Sequence, residues 1–195
     1  MSSRENILKA ALENQPDLVP LPQINLDAVI GYENLAAQFD LILTRIGGRV
    51  EHFDDETALL ARMSAHGPEE VVINTITADN KGLAYINGLN SVQLESVDVA
   101  YVTGSLGVAE NGSVWIDETA MVNRLLPFIC QHLVVVLKSD QIVATMHHAY
   151  QQIDVTKTGF GSFIAGPSKT ADIEQSLVIG AHGPRSLTLF LLLAN

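Results

Sequence analysis

Cysteine is almost absent from this 195-residue chain, where Cys130 stands alone. One thiol forms no internal disulfide. It also cannot hold an iron–sulfur cluster by itself, because such clusters usually take about four thiolates. Cys130 lies in the apolar run LLPFICQHLVVVL and reads as a buried small hydrophobe. Basic residues are scarce as well. There are 11 Lys and Arg against 22 Asp and Glu, and 11 − 22 gives a net charge of −11. A field of that sign repels phosphate backbones and anionic lipid headgroups, so neither nucleic acid nor a membrane surface is an expected partner. Long apolar runs are missing too. The longest, Leu187–Ala194, is interrupted by Thr188 and falls far short of the roughly 20 residues that span a bilayer. The opening residues MSSRENILKA lack the apolar core of a signal peptide. A cytoplasmic location is the expectation that remains.

Several familiar motifs are also lacking. The histidines (His52, His66, His132, His147, His148 and His182) include no H-x-x-H or H-E-x-x-H pair. His147 and His148 would point to different faces of a helix, so no metal site is expected. No G-x-G-x-x-G opens a helix after a strand, which leaves a dinucleotide fold unsupported. In GFGSFIAGPSKT, Gly161 and Gly166 have the spacing of a phosphate-binding P-loop. Pro167-Ser168 intrudes before Lys169-Thr170, and proline removes a backbone donor where one is needed. A Ser168, His182 and Asp172 triad can be drawn, but no G-x-S-x-G elbow accompanies it.

What is present is an apolar, patterned chain. Hydrophobic residues make up 47% and charged residues 17%, which argues against disorder. The length suits a single domain over 1–195. Residues 1–21 read as a helix, with capping-box spacing at Ser2 and Glu5, followed by the proline-punctuated connector PDLVPLP. They form an N-terminal helical arm. A second helix carries Leu35, Phe39, Ile42, Leu43 and Ile46 on one stripe and ends at Gly47-Gly48. Strands are then expected at Arg49–Phe53, Val71–Thr77, Asp98–Gly104, Ser113–Asp117, Leu133–Leu137, Phe160–Ala165 and Leu187–Leu193. Helices are expected after Asp54 or Asp55, over Asp140–Gln151, and between the last two strands. Alternating strands and helices imply an α/β fold with a mostly parallel sheet flanked by helices.

Three places carry candidate chemistry. In GPSKTADIE, Gly166-Pro167 stops a strand and Ser168 or Thr170 can cap a helix. Asp172 and Glu174 would sit in its first turn. With Lys169, that helix start is a plausible small-anion site, or simply a well-capped helix. In GAHGP, His182 sits between small residues before Gly183-Pro184, either as a proton shuttle or as a turn residue bonded to backbone. In Ala109-Glu110-Asn111-Gly112-Ser113, Asn-Gly signals a hairpin. Glu110 at that turn is either a base or nucleophile, or a solvated carboxylate.

Taken together and in this order, Ala109–Ser113, Leu126-Pro127 leading into Val134–Val136, GPSKTADIE and GAHGP resemble the lactate-utilization protein C family, built on the LUD domain. The resemblance covers roughly Ile42 to the C-terminus. It implies a fold like that of the glucosamine-6-phosphate isomerase, ribose-5-phosphate isomerase and CoA-transferase group. It also implies a role in oxidising L-lactate to pyruvate together with iron–sulfur partner proteins. Any clusters would then belong to those partners, with no cofactor in this chain. By the same resemblance, Glu110 and His182 are candidate catalytic residues. Asn111, Gly112, Ser113, Gly166, Pro167, Ser168, Lys169, Thr170, Asp172, Glu174 and Gly183 are candidate contacts to a small organic acid or other small anion. Asn111 departs from the threonine common in the family, and Lys169 from a frequent arginine, replacing a bidentate fork with a point charge. Two other roles fit the residues: a stand-alone enzyme or sensor using Glu110, and a non-catalytic scaffold for the iron–sulfur subunits.

Overall fold

A computed structural model describes residues 2–17, 19–20, 22–173 and 176–194. In chain order its helices are α1 (Ser3–Glu13), α2 (Leu35–Arg45), α3 (Glu56–Met63), α4 (Asn80–Gly88), α5 (Ser91–Leu94), α6 (Glu118–Met121), α7 (Leu126–Ile129), α8 (Met146–Gln152) and α9 (Val155–Thr158). The strands are β1 (Arg49–Phe53), β2 (Val72–Asn74), β3 (Val99–Thr103), β4 (Leu106–Val108), β5 (Ser113–Asp117), β6 (His132–Lys138), β7 (Ile142–Val143), β8 (Gly161–Ile164), β9 (Lys169–Ile173), β10 (Ser176–Ile179) and β11 (Ser186–Leu192). The capping box and the cap expected for the first and third of these helices form. Ser2 and Glu5 bond reciprocally at α1, and Asp55 caps α3. Helix α1 buries none of its residues, as befits an outlying arm.

The central sheet is parallel throughout, in the order β1-β11-β6-β3-β2. One face carries Ala100, Val102, Leu133, Val135, Leu187, Leu189 and Leu191 into the main core, with Phe39 and Leu43 of α2. A second sheet, in the order β7-β4-β5-β8, joins that core through Val114, Ile116 and Ile142. Its other face packs Leu106, Val108 and Trp115 against Ala149 of α8. The opposite face of the central sheet is more thinly covered. There Leu59 and Met63 of α3 meet Tyr101, Val134 and Phe190.

Two expectations differ from the structure. The segment from Lys169 is not a helix start. It is β9, paired antiparallel with β10 through Thr170↔Val178 and Lys169↔Ile179. A Ser/Thr cap followed by acidic residues is a weak local preference, and the β-branched Thr170, Ile173, Val178 and Ile179 suit a ladder. Asp140–Gln151 is divided rather than helical throughout. Ile142-Val143 pairs with Gly107-Val108 of β4, and α8 begins only at Met146. Closing the edge of the second sheet outweighs helix propensity there.

The hairpin between β4 and β5 forms as expected, with Val108 opposite Ser113. Gly112 has φ +68, and a Cβ there would lie 2.9 Å from the Leu43 backbone nitrogen. Gly88, at the end of α4, has nothing within 4 Å of a built Cβ. Gly112→Ala is therefore expected to destabilise the fold by about 2 kcal/mol or more, through strain and overlap with backbone. Gly88→Ala is expected to be neutral or slightly stabilising. Urea unfolding followed by circular dichroism measures both, and equal midpoints for the two variants would contradict the packing described.

Candidate functional site

The end of α2 brings the sequence motifs together. Helix α2 stops in a Schellman turn: Gly48 N–H donates to Leu43 O at 2.9 Å and Gly47 N–H to Thr44 O at 3.0 Å, with Gly47 at φ +94. Gly112 packs against Leu43 of this helix, and Gly166, at φ +69, packs against the Ile46 carbonyl. Pro167 lies beside Gly47. The Lys169 ammonium donates to Ile46 O, so this cation caps a helix C-terminus, where positive charge is favoured.

The Gly166–Lys169 loop is also clamped to the turn that precedes β11. Ser168 N–H donates to Pro184 O at 2.8 Å, and Gly180 N–H donates to Ser168 O at 2.9 Å. Gly183 is pressed against Ser168, whose Cβ would lie 3.0 Å from an added Cβ. Between these loops lies a cavity of about 240 Å³ that includes Gly166, Pro167, Ser168, His182 and Gly183 in its wall. Pro127, Phe128, Phe163 and Ile164 supply the apolar wall. Those residues were not among the sequence candidates. The available signal was the Leu126-Pro127 motif, which Phe128 follows directly.

The donors of the expected anion site are therefore engaged elsewhere. Ser168 N–H is bonded within the clamp, Lys169 and Thr170 belong to the β9–β10 ladder, and the Lys169 side chain is directed at α2. Ser168 and His182 are the polar side chains left in the cavity wall. The Asp172 side chain and Glu174 lie outside the described residues.

Glu110 is not in that wall. Its Oε2 accepts from Met146 N–H at 2.9 Å at the start of α8. The hydroxyl of the N-cap residue Thr145 accepts from no backbone N–H of the helix; it lies 2.8 Å from His148 Nδ1. Glu110 thus provides the cap that Thr145 does not, with its negative charge at the favourable end of the helix. Asn111 organises the same turn, its Oδ1 accepting from Ser113 N–H at 3.0 Å and from Ser113 Oγ at 2.7 Å. The structure unites the Gly166–Ser168 and His182–Gly183 candidates in one cavity. It places Glu110–Ser113 against α2 and α8.

Fold and site together define an α/β domain with a parallel central sheet, an appended smaller sheet and a loop clamp ahead of its last strand. The LUD domain family matches residues 86–192, more than half of the chain, and the chain belongs to that family. It is 34% identical over 98 residues to "Lactate utilization protein C" of Shouchella clausii, covering 47% of this chain and 42% of that protein. It is 30% identical over 111 residues to the protein of that name from Oceanobacillus iheyensis, covering 54% and 48%. The aligned region spans less than half the length of these relatives. A crystal structure of a DUF162 family protein from Deinococcus radiodurans shares the fold, with a TM-score of 0.62 and 19% identity, over 81% of this chain and 96% of that one.

The cap role of Glu110 gives a direct expectation. Glu110→Ala should lower stability by about 1 kcal/mol, the usual loss for a removed N-cap acceptor, and Glu110→Gln should retain part of it. Chemical denaturation of the two variants measures this. Unchanged stability in Glu110→Ala would remove the structural role.

Proposed function

We propose that this chain serves L-lactate utilization, as a component that works beside iron–sulfur proteins in oxidising L-lactate to pyruvate. The observation that carries this reading is the chain's LUD domain together with its similarity to proteins named lactate utilization protein C. The oxidation releases two electrons and two protons for each lactate, and the electrons need an acceptor. Cys130 is unsuited to ligate one, since it is fully buried and burial pushes its thiol up to about 12. This supports placing the clusters on partner proteins. Within that role, Ser168 and His182 are assigned to contact with a small ligand at the clamp cavity. A non-catalytic place beside the iron–sulfur subunits is favoured over a stand-alone enzyme built on Glu110, because that carboxylate is bonded to the start of α8.

Deleting the gene while leaving its partner genes intact should abolish growth on L-lactate and spare growth on glucose. Wild-type and Glu110→Ala genes, expressed at matched protein levels, should both restore it. Unimpaired growth of the deletion strain would refute the lactate role. Failure of Glu110→Ala alone would favour the enzyme built on Glu110.

A further inference from the structure

A second polar concavity lies on the thinly covered face of the central sheet, apart from the clamp. It encloses about 290 Å³ beside the C-terminal end of α3. Its floor follows from strand register. His132 stands between Val99 of β3 and Ser186 of β11, and in the next row Val134 stands between Tyr101 and Thr188. Strand alternation puts all six on one face.

The groups here are held in place before any ligand arrives. The Arg62 guanidinium bonds Glu51 through Nε at 3.0 Å and through a terminal nitrogen at 3.2 Å, and it stacks over the Phe190 ring. His132 Nδ1 and Ser186 Oγ are 2.8 Å apart. His66 Nε2 is 2.6 Å from Met63 O, and a carbonyl only accepts, so this nitrogen carries a proton. Tyr101 Oη lies 3.0 Å from the same nitrogen. It cannot donate to an N–H, so its own proton is directed elsewhere, and no acceptor among the described residues takes it. Tyr101 is only 1% exposed, and burial raises its pKa, so it stays a donor at neutral pH. Of the acidic groups at the rim, Glu51 is paired with Arg62, and Glu70 Oε2 accepts from Gly67 N–H at 2.8 Å. Arg49 of β1 is the register neighbour of Thr188 and adds positive charge at this edge.

We propose that this groove binds a short-chain carboxylate. The Tyr101 and Thr188 hydroxyls donate to the carboxylate, the terminal Arg62 nitrogen that does not bond Glu51 is a further donor, and Val99, Val134 and Phe190 receive the carbon chain. A preorganised donor set over an apolar floor suits an organic acid better than a bare inorganic anion, which has no use for the floor. The inference rests on this groove alone and does not depend on the lactate reading.

The test is a two-dimensional amide NMR titration of the full-length ¹⁵N-labelled chain with propionate, L-lactate and inorganic phosphate at constant ionic strength. Propionate and lactate are expected to give saturable shifts over residues 99–101, 132–134 and 186–190. Phosphate should bind at least about tenfold more weakly. Tyr101→Phe keeps the ring and should raise the carboxylate Kd about tenfold or more, because hydrogen bonds to charged acceptors are the strong class. Thr188→Val, nearly isosteric, should weaken binding in the same direction. Four results would overturn the proposal: no saturable shift with either acid, phosphate binding as tight as propionate, shifts confined to 163–168 and 182–184, or an unchanged Kd in both variants.

Discussion

Strand β11 is the element on which the rest depends. It enters the sheet between β1 and β6 and is hydrogen-bonded along both edges. Its alternation serves two faces at once. Leu187, Leu189 and Leu191 complete the main core, while Ser186, Thr188 and Phe190 face α3 and the groove. The turn just ahead of it, Gly180–Pro184, closes the clamp against Ser168. A one-residue slip of β11 would exchange its two faces, putting Ser186 and Thr188 into the core and Leu187 onto the groove. Both concavities would be lost together.

Charged groups that resemble site chemistry are largely engaged in holding helix ends. Glu110 caps the start of α8, Lys169 caps the end of α2, and Asp55 caps α3. Each charge sits at the helix end that its sign suits. Two of these contacts tie a helix end to a loop or strand distant in sequence. The clamp cavity is consequently mostly apolar, with Ser168 and His182 as its polar side chains. The sheet-face groove is the more polar of the two, because α3 covers only part of that face.

Family membership and fold reach different depths of function. The LUD match covers the region that builds β3 to β11. That region contains the clamp, Glu110 and most of the groove. The first 85 residues contribute β1, α2 and α3, and so Arg62, His66 and the helix end on which both motif loops pack. The groove therefore joins residues from inside and outside the matched stretch, whereas the wall of the clamp cavity lies within it.

Local signals in the sequence determined much of the chain. Strands Arg49–Phe53 and Ser113–Asp117 stand where alternation and turn residues placed them, as do the Ser2–Glu5 capping box and the Asn-Gly hairpin. Each is fixed by a few neighbouring residues. The α/β class with a parallel sheet followed from the alternating elements. Tertiary structure decided the rest. Ser168 and Thr170 carry a capping pattern, yet the strand pairing of Lys169–Ile173 with Ser176–Ile179 prevails. Glu110 reads as a possible base until Met146, 36 residues away, takes its carboxylate. His132 and Ser186, or His66 and Tyr101, look unrelated until parallel register and the end of α3 set them side by side. Local energies favour a cap or a turn by about 1 kcal/mol, and partners brought up from distant parts of the chain outweigh that with several hydrogen bonds of similar size.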